Sequence, residues 1–272
     1  MKKRFALLLL APCFAAAQQH SLEKLWETDT IIAVPESVLL LPGQDLMYIS
    51  LIDGGSWDVD GKGGVGKLKK DGTGYDPSWI TGLNAPKGMA IVGNKLYVAD
   101  VTEVVVIDIQ KGKIEKKIPP DSAVALNDIT VDKNGIVYVS DSRTGRIWAI
   151  KNDQPSIYLE KMTGVNGLKA IGDELFIAKG KSFIKADKEK NITVIAELPQ
   201  GGDGIEPIGN GDFIFTAWAG YIFYINKEGT FETLLDTHLE KKNTADIGYD
   251  AEKRILYVPG FNAKVVTAYR LK

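Results

Sequence analysis

AVALNDITVDKNGIVYVSDSRTGRIWAI, residues 123–150, is the stretch from which the rest of the chain can be read. Its apolar residues alternate or run together through LNDITVD, a KNG turn follows, IVYVSD resumes the pattern, SRTG turns the chain again, and RIWAIK makes a third segment. Short runs rich in Val, Ile and aromatic residues between Gly, Asn and Asp punctuation predict β-strands joined by tight turns. A fourth strand is expected at PSIYLE. Working outward, the unit recurs as PKGMAIVGNKLYVADVTEVVVID from Pro86, VNGLKAIGDELFIAKGKSFIKAD from Val165, GDGIEPIGNGDFIFTAWAGYIFYIN from Gly202 and TADIGYDAEKRILYVPGFNAKVVTAY from Thr244. A copy also fits PESVLLLPGQDLMYISLIDGG from Pro35, with GVGKLKK as its third strand and its fourth near PSWI. A four-stranded unit repeated every forty residues or so, with no helix between copies, predicts an all-β chain folded as a six-bladed β-propeller with four-stranded blades.

The ends predict how the ring closes. The last copy shows three strands before Lys272, and LEKLWE, residues 22–27, is an orphan strand ahead of the first copy. Pairing the orphan with the last blade removes the open sheet edge. The propeller is therefore expected to span 18–272 as one domain. Residues 1–17, MKKRFALLLLAPCFAAA, have a basic start, an apolar run and a small-residue end, the pattern of a signal peptide cleaved near residue 17. The apolar run is too short to span a bilayer, so the expected location is periplasmic or secreted with no membrane span. Pro12 is a poor neighbour for a lipidated Cys13, which points to a soluble export product.

Cys13 is the only cysteine, so the mature chain would have no disulfide, no thiolate nucleophile and no cysteine metal site. Losing Lys2, Lys3 and Arg4 shifts the formal charge from −2 to −5, and charges of both signs are dispersed through the copies. No basic patch calls for nucleic acid or a membrane surface.

Two motifs near the first copy mislead. GKGGVGK at 61–67 has the spacing of a phosphate-binding loop as far as its lysine, but Leu68 stands where a Ser or Thr should meet magnesium, and LKKDGTG leads into a turn rather than a helix. In propeller register, Gly66 to Leu68 match Gly145 to Ile147 and open a third strand, so no nucleotide is expected. AspValAspGly at 58–61 suggests a calcium loop, yet its twelfth position is Lys69 rather than Glu. A long Gly-rich loop remains, either a lid over a ligand site or a solvated connector.

Stacking the copies on their first strands yields the informative column: Glu36, Lys87, Asn127, Asn166, Asp203 and Ala245. First strands are innermost in a propeller, so these residues should converge on the central channel. Two carboxylates and two amide oxygens aimed at one point make a net-negative cage suited to a hard divalent cation. Solvation of a water-filled pore is the alternative meaning of the same column. A metal with open positions polarises an ester carbonyl and acidifies bound water, while a carboxylate at its edge accepts the proton; Asp203, followed by Gly204, is the candidate for that role. His20 and His238 fall outside the column, so no histidine triad is expected.

PESV at 35–38, LNDI at 126–129, VNGL at 165–168 and GDGI at 202–205 resemble the blade-start motifs of the gluconolactonase and regucalcin (senescence marker protein) group of six-bladed propellers. The resemblance covers essentially the whole mature chain at motif level. It implies Glu36, Asn166 and Asp203 as ligands of one divalent metal, calcium first and magnesium, manganese or zinc after it. It also implies Asn127 as a substrate-facing residue and Asp203 as the base of lactone hydrolysis. Two positions depart from the family: Ala125 stands where an Arg is common, and Lys87 brings a positive charge that could clamp an anionic ligand or pair with Glu36.

Asp100, Asp141 and Lys179 end second strands at matching offsets, as rim residues or as turn formers. Tyr97, Tyr138, Phe176, Phe215 and Tyr257 recur in second strands as packing between blades. Trp218 in TAWAG follows a strand end near the expected mouth, to stack on a sugar ring or to cap a blade. The sequence thus predicts an exported, divalent-metal-dependent hydrolase of a lactone or similar sugar-derived ester. The alternative is a non-catalytic propeller that binds a small ligand or a protein partner at the channel mouth.

Overall fold

Four-stranded antiparallel sheets form from each copy because alternating side chains give every sheet two apolar faces, and stacking sheets radially buries both. A computed structural model describes residues 20–272, so the predicted signal segment 1–17 lies outside the described residues. There are six such sheets. Their innermost strands are Pro35–Leu40, Pro86–Val92, Leu126–Val131, Val165–Ile171, Ile205–Gly209 and Gly248–Asp250, and each touches its neighbours around a central channel. The predicted third and fourth strands of the first blade appear as Gly63–Lys69 and Asp76–Leu83, so the glycine-rich GKGGVGK runs into a sheet and not into a phosphate cradle. Among the described residues no helix is long and apolar enough to cross a membrane.

One apolar cluster fills each of the six blade-to-blade interfaces. The expected aromatics contribute, with Phe215 and Tyr257 fully buried and Phe176, Phe183 and Phe213 packed together where blades four and five meet. A seventh, smaller cluster of Ile52, Ala85, Val101, Ala245 and Phe261 lies where the inner strands begin.

The ring is fastened at its rim and at its axis. At the rim, Leu22–Glu27 pairs antiparallel with Val266–Leu271 to complete the last blade, as the orphan strand predicts. Glu27 anchors this seam, accepting hydrogen bonds from Lys242 and from Thr267 Oγ1 at 2.7 Å. Burial works against its charge, but those bonds and one from Lys24 outweigh it and draw the carboxyl down to about 2. At the axis, the Asp246 amide donates to the Glu36 carbonyl at 3.0 Å and the Val38 amide to the Asp246 carbonyl at 3.3 Å, a short parallel bridge between the last blade and the first.

Candidate functional site

In the first four blades the pairing of strand one with strand two slips between Pro35 and Val38, Pro86 and Met89, Leu126 and Ile129, and Val165 and Leu168. A bulge leaves two residues facing one and re-aims their side chains. The bulged pairs begin with Glu36, Lys87, Asn127 and Asn166, the predicted column, which turns inward here instead of following the pleat. Hydroxyls on second strands tie the bulge down: the amides of Ser37, Asp128 and Gly204 donate to Ser50 Oγ (2.9 Å), Ser140 Oγ (3.0 Å) and Thr216 Oγ1 (2.8 Å).

Asp203 is seated by the backbone of the fifth blade, its amide donating to the Thr216 carbonyl at 2.8 Å. Its own carbonyl passes so close to Gly167 that a Cβ there would lie 1.7 Å from the oxygen. Only glycine permits that approach, which brings Asp203 in beside Asn166 of the neighbouring blade.

Four polar column residues are withdrawn from solvent: Lys87 and Asp203 are each 2% exposed, Glu36 5% and Asn127 8%. Burial pushes the Asp203 carboxyl up to about 8, with Asp246 adding to the rise and Lys87 and the Asn166 amide opposing it. Burial also raises Glu36 well above the usual carboxylate range; Lys87 counters this while Asp203 and Asp246 reinforce it. Lys87 is lowered by burial, with Glu36, Asp203 and Asp100 acting to keep it charged. These mutual influences place Glu36, Lys87, Asn166 and Asp203 around one hub. Asn127, at the same position of the third inner strand, donates its Nδ2 to Ser142 Oγ at 3.1 Å. Ala245, the sixth member, is buried in the apolar cluster beside the hub.

Glu36 Oε2 and Asn166 Oδ1 are buried oxygens with no hydrogen-bond partner. Two orphaned acceptors at one hub, a carboxylate and an amide oxygen, next to the carboxyl of Asp203, fit an oxygen-seeking cation, because burying such atoms unsatisfied is costly. The donor set is all oxygen, closer to calcium, magnesium or manganese than to zinc with its nitrogen and sulfur ligands. Among the described residues no group of three or more His, Cys, Asp and Glu side chains is arranged to hold a metal, so the amide of Asn166 is needed to complete the set.

One residue further along the inner strands lies a second layer that the column does not contain. Asp128 accepts from the amides of Ile129 and Leu168, both at 2.6 Å, and Ser37 Oγ donates to Asp246 Oδ2 at 2.6 Å. Burial raises both carboxyls, Asp246 to about 6. Shifting the same stacking by one position, to Ser37, Gly88, Asp128, Gly167, Gly204 and Asp246, is the signal that finds them. Beyond them the far end of the channel opens into a cavity of about 260 Å³ lined in part by Thr130 and by Lys169 and Glu206, whose charged ends are 2.8 Å apart.

Asp100 and Asp141 act as turn formers and not as rim ligands. Asp100 accepts from the Asn84 and Ala85 amides, and Asp141 from those of Val124, Ala125, Arg143 and Thr144. Trp218 sits in the turn after a second strand, 44% exposed, edge-on to Phe261 with ring centroids 5.5 Å apart. A second aromatic ring, Trp57 from the long loop of the first blade, lies against the hub: the Lys87 ammonium is 4.3 Å from its ring centre. Through Trp57 the loop lies against Lys87 of the hub.

No protein-family model matches the sequence, and no curated protein matches it. Solved structures do match in fold. A catalytically inactive histidine-to-alanine variant of virginiamycin B lyase from Staphylococcus aureus, with quinupristin, superposes with a TM-score of 0.66 at 14% identity, covering 93% of this chain and 99% of that one. A streptogramin B lyase gives 0.66 at 14%, covering 93% and 98%. A protein put forward as a gluconolactonase gives 0.69 at 12%, covering 93% of each chain. What is shared at these identities is the overall fold. That shared fold is the one the blade-start motifs imply by their resemblance.

Proposed function

We propose that this chain is an exported, divalent-metal-dependent hydrolase that opens a lactone or similar sugar-derived ester at the hub of its propeller. The observation that carries the reading is the pair of buried, unpartnered oxygens, Glu36 Oε2 and Asn166 Oδ1, beside Asp203. Glu36, Asn166 and Asp203 would hold the ion, calcium by the hardness of the donors, and the ion would supply electrophilic activation of the carbonyl and of water. Asp203 then accepts the proton of the attacking water, a task suited to a carboxyl whose pKa stands near 8 without the ion and falls when positive charge arrives. Asn127, its Nδ2 fixed by Ser142, keeps an amide oxygen for a substrate hydroxyl. Trp57 must swing away from Lys87 to admit substrate, and on return it would exclude water.

The lyase that shares the fold is inactive when a histidine becomes alanine. This chain has two histidines, and both lie away from the hub: His20 pairs with Glu232, and His238 with Asp236 and Tyr221. A carboxylate is left as the base, which supports hydrolysis over a histidine-driven elimination.

One observation supports a binding module instead. The ammonium of Lys87 already brings a positive charge to the two hub carboxylates, so the ring could work without a metal. Metal analysis of the purified mature protein, with turnover of a lactone panel followed by pH-stat, separates the two. The hydrolase reading expects about one divalent ion per chain, lost together with activity in Asp203→Asn while the fold persists. It also expects tighter ion binding in Lys87→Met, because a repelling charge is gone. Stoichiometric metal without turnover supports the binding module. Unchanged metal affinity in the Glu36→Gln, Asp203→Asn double variant would dismiss the hub as a metal site.

A further inference from the structure

Two cations approach one indole beside the hub. The Lys87 ammonium lies 4.3 Å from the Trp57 ring centre, and the Arg143 guanidinium carbon lies 5.5 Å from the same centre. Neither cation has a carboxylate oxygen within 4.0 Å among the described residues. Glu36, Asp203 and Asp100 act on the charge of Lys87 without a direct ion pair, and Asp100, like Asp141 beside Arg143, already holds backbone amides. Gathering two positive charges on one ring with no direct ion pair is unfavourable, and a ring quadrupole is a weak substitute for a counter-ion. Arg143 is exposed in the turn between the second and third strands of its blade, next to Ser142, which holds Asn127. A guanidinium presents a planar fork that matches a carboxylate with two parallel hydrogen bonds, and an ammonium adds a point charge. Below them the hub offers acidic and amide groups, which would repel a second anion but accept a neutral carbonyl or hydroxyl. The position of charge therefore sorts the two ends of a ligand.

We propose that the hub takes a carboxylate-bearing ligand whose anionic group displaces the Trp57 indole and is held jointly by Lys87 and Arg143, while its neutral lactone or ester end reaches Glu36, Asn166 and Asp203. This rests on the hub being the ligand site, as proposed above, and makes the substrate the lactone of a sugar diacid instead of a neutral sugar lactone. Trp57 is then a specificity element, with Gly54, Gly55 and Gly61 in its loop giving the backbone freedom to swing.

Glucono-1,4-lactone and glucaro-1,4-lactone differ only in a hydroxymethyl group against a carboxylate at one carbon, and they make the test. Rapid-mixing fluorescence titration of the mature protein, read before turnover, should show the anionic lactone binding about tenfold tighter or better. In Arg143→Gln, an exposed position where folding is not at risk, the preference should shrink severalfold while the affinity for the neutral lactone holds. The emission change on binding should disappear in Trp57→Phe. Equal affinity for the two lactones, no binding of either, a preference that survives Arg143→Gln, or an emission change that survives Trp57→Phe each overturns the proposal. Loss of metal binding with the charge preference intact would instead count against the hydrolase reading alone.

Discussion

Replacing Asp203 by Asn should stabilise the metal-free protein even as it removes the function proposed for the hub. Asp203 titrates near 8 in the fold against 3.8 for an ordinary aspartate, because burial and Asp246 oppose its charge more than Lys87 and Asn166 assist it. A carboxyl raised in this way stabilises the folded chain fully below about pH 4, and that contribution drains away as pH climbs through 8, because the unfolded chain ionises first. Each pH unit in that window is worth about 1.4 kcal/mol for one proton, so the ceiling at pH 7 is about 4 kcal/mol. Asp246 and Glu36 share the hub's protons, which reduces the expected difference to roughly 2 kcal/mol, or about 4–8 °C in melting midpoint for a chain of this size. Asn is nearly isosteric and has no charge to pay for. Thermal melts of parent and Asp203→Asn, with chelator present and pH stepped from 4 to 8.5, should coincide at the acid end and diverge toward pH 8 with the variant higher. Calcium added at pH 8 should raise the parent and leave the variant unmoved. A variant less stable than the parent at pH 8, or two curves with the same slope against pH, would refute the reasoning.

Gly167→Ala should be among the most damaging single changes in the chain. Its Cβ would meet the Asp203 carbonyl, which is backbone and cannot rotate away, so a loss on the order of 3 kcal/mol or more is expected in urea titrations. Glu27→Gln should loosen the rim seam by about 1–2 kcal/mol at pH 7, through weaker bonds to Lys242 and Thr267. The Glu27 carboxyl is depressed to about 2, so the difference between this variant and the parent should hold above about pH 4.5 and fade as pH falls toward 2.

Much of the ring was legible because each blade restates one pattern. The turn pairs, the strand alternation and the orphan LEKLWE located the sheets and the seam without any contact being known. The column was legible for the same reason, since equivalent positions in a radial repeat share an axis. Less visible was what depends on a local departure from the pleat. Bulges at Glu36 and its counterparts let two successive residues face the channel, so Asp128 enters a layer that strict alternation assigns to the sheet interior, and Asp246 joins it through its bridge to Ser37 ahead of the last inner strand. Trp57 was hidden differently, because it lies in an insertion with no counterpart in other blades, where stacking copies gives no alignment. Asp100 and Asp141 share the sequence appearance of ligands and of turn formers, and only their amide partners separate the two.

Because the annulus is clasped at its bore as well as at its circumference, peeling Leu22–Glu27 from Val266–Leu271 need not spring it apart. The bridge between the Asp246 amide and the Glu36 carbonyl would still hold first blade to last. Glu36 would keep its seat through such fraying, so damage to the outermost strand should soften the protein well before it disarms it.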